Sequence, residues 1–469
     1  MQAIFQPMRR LTQNVRLTPF DTSTPEGRAK ERVRRAAITS LTAALAKMVS
    51  LGTPLISIPI MLHYLGQEIY GLWMTTSSFV GMFLFADLGL GNGLITSFSR
   101  ATGRGDLKAQ QELVSSAAFM LACIALALGL VFYSVCPFLP WAAILNAKSA
   151  TVSAEATGVV VALSLPFLLN IPLNIVQRTQ MAMQEGYQSN LWQCLGSFCS
   201  LAIMFLGVNA QLSPAWLLFA VTVVPVFITC LNWWYFFYRS YPLLKPKFKC
   251  FSIIQGRALL QIGLGFFLVS LLSTIGMYAD NIIVAHIQDL KNVAVYSIAS
   301  RIMLILVAIV NLTCAPMWSA NGEALARGDL AWVRSNTKKL ALLAGVGTGL
   351  IGLFLIVFGP MITRIWLGPD FEISRFLLFA MGAGVVTASC AAPYFVVLNA
   401  AGIIYSQVKL FLIFTPLVIV AKLAMGHVYG PSGIALAGFF CYLIILLPGS
   451  VFLSKRALKS DSIKVNIKV

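Results

Sequence analysis

The sequence predicts an all-α, polytopic membrane protein with about twelve transmembrane helices in two six-helix lobes. Hydrophobic residues make up 58% of its 469 residues and charged residues only 11%, which is too little charge for the surface of a soluble protein. Mostly apolar stretches of roughly 20 residues, the length that crosses a bilayer, recur about twelve times. Lysine and arginine residues collect in alternate connections between these stretches, as expected for a membrane protein of fixed orientation.

The predicted spans define the organisation of the chain. They lie at residues 37–62, 70–97, 114–137, 158–181, 190–208, 214–237, 258–285, 293–317, 339–360, 375–399, 406–426 and 431–453. A basic, proline-containing stretch divides them six and six. We therefore predict a basic cytoplasmic tail, an N-terminal lobe, a cytoplasmic linker, a C-terminal lobe and a cytoplasmic tail at residues 1–36, 37–240, 241–257, 258–453 and 454–469.

The positive charges predict that both termini are cytoplasmic. With that orientation the outside connections hold only Lys148, Lys291, Arg364 and Arg375, and every other connection is basic, as the positive-inside rule requires. The net charge of +18 therefore indicates topology, and we expect no nucleic-acid partner. The tail at 1–36 lacks the apolar core of a signal peptide, so we interpret it as a topology signal, with contact to anionic membrane lipids as the alternative.

A short repeat predicts that the two lobes arose by duplication. The sequence Arg104-Gly105-Asp106-Leu107 follows the second span, and Arg327-Gly328-Asp329-Leu330 follows the eighth. Because the two copies fall at equivalent places in the two lobes, duplication is a better explanation than chance. Each lobe has an even number of spans, so the repeat is expected to be parallel.

Five ionisable residues fall within the predicted spans, namely Lys47, Asp87, Asp280, Arg301 and Lys422. Such residues are costly in lipid and are expected to have a partner or to face a wet cavity. Their depths along the spans favour the pairs Lys47–Asp87 and Asp280–Arg301. Two interpretations stay open: structural ion pairs in each lobe, or a central polar cavity with one excess positive charge, which suits a diphosphate. Arg178, at the inner end of the fourth span, either extends that cavity or marks the topology.

Several spans carry helix-breaking residues, which in transporters often line the substrate path. The first span contains Gly52, Pro54 and Pro59, and we expect a hinge there. The fourth contains Asn170, Pro172 and Asn174, which predict a broken polar helix. The second is predicted to be one apolar helix with a hinge at Gly91 and a local opening at Asn92. Tolerated kinks without function are the alternative interpretation.

Other classes of function find little support in the sequence. It has no phosphate-binding loop of the GxxxxGK[ST] type, and its nine cysteines form no CxxC or Cys/His metal pattern. The longest outside connection, at about 138–157, is too short for a catalytic domain. We therefore expect no catalytic residue, metal or cofactor, and an integral-membrane enzyme such as an O-antigen ligase or polymerase is disfavoured.

The stretch from Tyr64 to Asp106 contains the strongest motif of the chain. It reads Tyr64-Leu65-Gly66, Tyr70-Gly71-Leu72-Trp73, Ala86-Asp87-Leu88-Gly89-Leu90-Gly91-Asn92-Gly93-Leu94 and Arg104-Gly105-Asp106-Leu107. This pattern resembles the Wzx-type polysaccharide flippases of the multidrug/oligosaccharidyl-lipid/polysaccharide (MOP) exporter superfamily.

That resemblance implies a function and partners. It implies a flippase of the bacterial inner membrane that moves undecaprenyl-diphosphate-linked oligosaccharide from the cytoplasmic to the periplasmic leaflet, coupled to H⁺ or Na⁺, beside a polysaccharide polymerase and chain-length proteins. Asp87 and Asp280 are then candidates for the coupling ion. The candidate substrate residues are Lys47, Arg301, Lys422, Arg178, Asn92, Asn170 and Asn174. The alternative is a multidrug-and-toxin-type exporter of small molecules.

Overall fold

The computed structural model describes residues 25–368 and 371–458, and every regular element in these ranges is a helix. We number the longer helices α1 to α13. They are Pro25–Gly81, Leu90–Arg104, Leu107–Val135, Ala150–Leu173, Ile175–Ala182, Gly186–Asn209, Pro214–Trp234, Ile253–Ile287, Leu290–Arg327, Leu330–Leu367, Arg375–Ala400, Ile404–Cys441 and Leu447–Ala457. Most of the predicted tails, at 1–24 and 459–469, lies outside the described residues.

Within the described ranges, ten helical segments are long and apolar enough to cross a membrane. Two of them, Leu41–Gly81 and Ile404–Ala457, contain a residue with non-helical backbone angles, Gly66 and Gly430. Each residue has a positive φ, of 74° and 61°, which glycine adopts without a steric penalty. Counting each kinked segment as two helices gives twelve, so the predicted fold class and the count of about twelve helices are confirmed.

The second predicted span, 70–97, is not one apolar helix, and this part of the prediction is wrong. Helix α1 ends at Gly81, a 3₁₀ turn covers Leu84–Asp87, and α2 begins at Leu90. Leu88 and Gly89 both have a positive φ, of 50° and 74°. The Asp87 carboxylate accepts a hydrogen bond of 3.0 Å from the Gly89 amide. Such a local side-chain bond competes with helix formation, and the glycine tolerates the left-handed conformation that results.

The fourth predicted span is interrupted as the sequence predicts. Its two parts, α4 and α5, are separated at Asn174, and Pro172 lies in the last turn of α4. In the first span, by contrast, Gly52, Pro54 and Pro59 lie within the helical part of α1. The conformational break comes later, at Gly66.

The two copies of the Arg-Gly-Asp-Leu repeat form the same loop. Gly105 ends α2 and Gly328 ends α9, each in the left-handed conformation with φ of 70° and 79°. The next residue, Asp106 or Asp329, caps the following helix by accepting a hydrogen bond from the amide three residues later. A left-handed glycine after one helix and an aspartate before the next is a favourable way to join two helices.

Contacts group the described residues into two compact units, each built from both halves of the sequence. Unit 1 contains the described residues up to Ser57, Ala86–Phe138 and Val161–Leu264, and unit 2 contains Ile58–Phe85, Leu139–Val160 and Gly265 onwards. The predicted lobes at 37–240 and 258–453 remain a prediction. In unit 1, the predicted linker is fastened to α3 by hydrogen bonds from the Lys247 and Ser252 amides to the hydroxyls of Ser115 and Ser116.

Candidate functional site

Unit 2 contains a buried ion pair inside the predicted membrane spans. The Lys422 ammonium on α12 pairs with Oδ1 of Asp280 on α8. It also donates a hydrogen bond of 2.7 Å to the carbonyl oxygen of Gly276. The second carboxylate oxygen of Asp280 accepts a hydrogen bond of 2.7 Å from the Tyr296 hydroxyl. The side chain of Lys422 is 6% exposed and that of Asp280 is 24% exposed, so the carboxylate is reachable from one side.

We predicted from the sequence that Asp280 pairs with Arg301, but in the structure Asp280 pairs with Lys422. Tyr296 and Arg301 are both on α9, five residues apart, which places them about 140° apart around the helix axis. Because Tyr296 faces Asp280, Arg301 is turned away and is exposed.

A cavity of about 350 Å³ opens beside this pair. It is lined by Asp280, Tyr296, Lys422, Ser273, Ser300, Phe411, Phe414, Phe439 and Tyr442, among others. A cavity of this size has room for several water molecules. The exposed side of the Asp280 carboxylate therefore borders space for water or a small ion.

Unit 1 contains a second charged site at the break in the second span. Gly91, in the first turn of α2, lies against Arg178 on α5 and against Asp87. A Cβ atom on Gly91 would lie 2.7 Å from Nε of Arg178 and 3.1 Å from Oδ2 of Asp87. Both side chains therefore approach the α-carbon of Gly91, and a methyl group there would displace the Arg178 side chain. Its backbone is helical, and the hinge at Gly91 remains a prediction.

The other residues predicted for the substrate path in unit 1 are partly accessible. Lys47 is exposed on α1 and forms no ion pair with Asp87, whose carboxylate turns to the Gly89 amide. Asn92 and Asn174 are half-buried near the two helix breaks. The side-chain oxygen of Asn170 is buried and has no hydrogen-bond partner among the residues that the structure describes.

Sequence reasoning missed an amide pair in unit 1. Gln180 on α5 and Asn232 on α7 are fully buried and exchange hydrogen bonds of 2.8 and 3.3 Å. Polar residues in apolar spans were the available signal, but their positions in the sequence do not show which ones meet. The pair fastens the second part of the broken fourth span to α7, and thereby fixes the position of Arg178 two residues before Gln180.

Sequence reasoning also missed a network of charged and polar side chains around Glu185 in unit 1. The buried Glu185 accepts hydrogen bonds from Arg35 at 3.1 Å, Tyr241 at 2.5 Å and Gln188 at 2.9 Å. Burial raises the pKa of the Tyr241 hydroxyl, and the hydrogen bond to Glu185 raises this pKa further, so Tyr241 stays a donor. Burial alone would lower the pKa of Arg35, but Glu31 and Glu185 raise it overall, so Arg35 stays charged.

The sequence is similar to those of two bacterial proteins. The chain is 24% identical over 297 residues to a protein of Yersinia pseudotuberculosis described as an O-antigen export protein, and the match covers 62% of this chain and 66% of that protein, just under two thirds of its length. It is 22% identical over 361 residues to a protein of Salmonella typhi described as an O-antigen transporter, covering 75% of this chain and 80% of that protein.

Solved structures show the same fold. The lipid II flippase MurJ in an inward closed conformation matches with a TM-score of 0.71 and 16% identity, over 91% of this chain and 90% of that chain. An inward-facing multidrug resistance transporter of the MATE family matches with a TM-score of 0.67 and 15% identity, over 87% and 99%. The fold is that of the MOP superfamily of membrane transporters. A model of the polysaccharide biosynthesis protein family matches residues 39–319, more than half of the chain, which therefore belongs to that family.

Proposed function

We propose that the protein is a flippase of the bacterial inner membrane that moves polyprenyl-diphosphate-linked oligosaccharide, with undecaprenyl as the lipid, from the cytoplasmic to the periplasmic leaflet. Support comes from the polysaccharide biosynthesis family, from relatives described as exporting or transporting O-antigen and from a fold shared with a lipid II flippase. Alternating access driven by H⁺ or Na⁺ at Asp87 or Asp280 completes the proposal.

Two exposed cations carry this proposal. Lys47 in unit 1 lies within the apolar segment Leu41–Gly81, and Arg301 in unit 2 lies at the middle of Leu290–Asn311. Neither forms an ion pair with any residue that the structure describes. A bare cation at that depth is costly in lipid, so both are expected to face water or an anionic ligand. Lys47 and Arg301 therefore each offer a positive charge within a span to an anionic headgroup.

The headgroup of the proposed substrate suits these residues. A diphosphate carries several negative oxygens, and a guanidinium binds two of them at once, whereas an ammonium acts as a point charge. A ligand shifts a conformational equilibrium only when it binds one state better than the other. Pairing with Arg301 in one state only would supply that difference. Small cationic substrates, by contrast, would be repelled by both residues.

The test is complementation of surface polysaccharide in a strain that lacks the protein, with membrane abundance measured in parallel. We expect Arg301→Ala to eliminate export and Arg301→Lys to weaken it, both at normal abundance. The matched control is Arg375→Ala, which removes an exposed arginine at the start of α11 and should export normally. Normal export by Arg301→Ala at normal abundance would remove Arg301 from the substrate path. If loss of the protein causes drug sensitivity while surface polysaccharide persists, the multidrug alternative replaces the proposal.

A further inference from the structure

The surroundings of the Lys422 ammonium resemble a cation site made of oxygen atoms. The nitrogen lies against Oδ1 of Asp280 and 2.7 Å from the Gly276 carbonyl oxygen. Carboxylate and backbone carbonyl oxygens are the ligands that hard cations prefer in proteins. The Tyr296 hydroxyl holds the other oxygen of Asp280 in place, so the carboxylate is oriented toward the nitrogen.

The charges at this site already balance. Among the described residues around the cavity, Asp280 supplies one negative charge and Lys422 one positive charge, while Tyr296 and Tyr442 contribute neutral hydroxyls. A second cation would approach a carboxylate that is already neutralised and would meet the ammonium at close range. Like charges repel strongly where little water screens them, and Lys422 is 6% exposed.

We propose that the Lys422 ammonium occupies the cation position at Asp280 and excludes sodium from it, so that Asp280 and Gly276 form a sodium site only when this side chain is shortened. The cavity beside the pair supplies the route, since it is lined by both Asp280 and Lys422 and has room for several water molecules. This inference concerns the coupling site of the proposed function and rests on that proposal only for its biological meaning. It limits sodium coupling in this protein to a site other than Asp280.

Sodium binding to purified protein tests the inference separately from transport. Thermal unfolding is measured in NaCl and in choline chloride at equal ionic strength, for the unmodified protein, Lys422→Ala and Lys422→Ala with Asp280→Asn. A ligand that binds only the folded state raises the Tm. We expect a sodium-specific rise of several degrees for Lys422→Ala alone. If the pair has a purely structural role, Lys422→Ala should lose stability and its Tm should not respond to sodium. That result would overturn the inference.

A second measurement holds even if Lys422→Ala does not fold. Binding of radioactive sodium is compared between the unmodified protein and Asp280→Asn, with Lys422→Gln as a milder variant that keeps most of the side-chain volume. We expect equal binding by the first two proteins and increased binding by Lys422→Gln. Sodium binding by the unmodified protein that Asp280→Asn abolishes would show that the ammonium does not fill the site. Because no polysaccharide is measured, failure here leaves the flippase proposal intact, and failed complementation leaves this one intact.

Discussion

The backbone of Gly71 on α1 lies against the carbonyl group of Leu290 at the start of α9. A Cβ atom on Gly71 would lie only 1.8 Å from that carbonyl oxygen. Nearby in unit 2, the Asn281 side chain donates a hydrogen bond of 2.9 Å to the Ser78 hydroxyl. The segment of α1 after its kink therefore packs on α8 and α9 through backbone contact that only glycine permits.

Gly71→Ala should destabilise the protein. The added methyl group overlaps with backbone atoms, which cannot move aside as a flexible side chain could, and such overpacking costs about 1–3 kcal/mol. The measurement is thermal unfolding of the purified protein, where we expect a lower Tm. Gly52→Ala is the control on the same helix, because a Cβ atom there meets nothing within 4 Å. A Tm for Gly71→Ala equal to that of the control would contradict the close contact.

Gly89→Ala should lower the stability of the protein by more than the left-handed backbone conformation alone explains. Gly89 has φ of 74°, and a Cβ atom there would lie 2.3 Å from the carbonyl oxygen of Gly263. Gly105 has a similar φ of 70°, but a Cβ atom on it meets nothing within 4 Å. Both alanine variants bear the left-handed penalty of about 1–2 kcal/mol, so the difference between their Tm values isolates the contact between α2 and α8. Equal losses would show that this contact contributes nothing.

Glu185→Gln should weaken the hydrogen-bond network around residue 185 in unit 1. The change removes one of the two carboxylates that Arg35 contacts and replaces one acceptor oxygen of the network by an amide donor. Loss of a buried, charge-assisted hydrogen bond costs about 1–3 kcal/mol, so we expect reduced thermal stability and membrane abundance. Glu112→Gln, a half-buried glutamate in the second turn of α3, is the control and should be neutral. Tyr241→Phe removes one of the bonds and should fall between the two.

The orientation predicted from the charges can be tested with alkaline phosphatase fusions, which are active only outside the cytoplasm. A fusion after Val469 should be inactive, whereas fusions near Lys148 and Lys291 should be active. The reason is that lysine and arginine are disfavoured in translocated loops. An active fusion at the C-terminus would overturn the twelve-span topology with both termini cytoplasmic.

The sequence was sufficient to predict features that depend on local chemistry. Spans follow from apolar length alone, because a helix must cross a fixed thickness of lipid. The Gly105-Asp106 and Gly328-Asp329 loops follow from the conformations that these two residue types favour. Of the five charges within the predicted spans, Asp280 and Lys422 have a partner, as such residues are expected to have.

Features that depend on helix rotation and long-range contact were not predictable. Asp280 and Lys422 are 142 residues apart, and depth along a span does not show which face of a helix a side chain occupies. Counting depth therefore selected Arg301, which lies on the wrong side of α9. The break at Leu88–Gly89 was missed because Asp87 and the glycines lie in an otherwise apolar stretch of spanning length. The sequence does not show the packing of Gly89 against Gly263 that accompanies the left-handed backbone.

The matching Gly-Asp loops also provide two equivalent reference points in the chain. Lys108 and Ala331 stand two residues after the capping aspartates, and both are exposed. Spin labels can be attached to cysteines at these two positions after the native cysteines are replaced. The two labels would then have the same local backbone geometry. A change in the distance between the labels, while the local mobility of each label stays the same, would then indicate movement of one unit relative to the other.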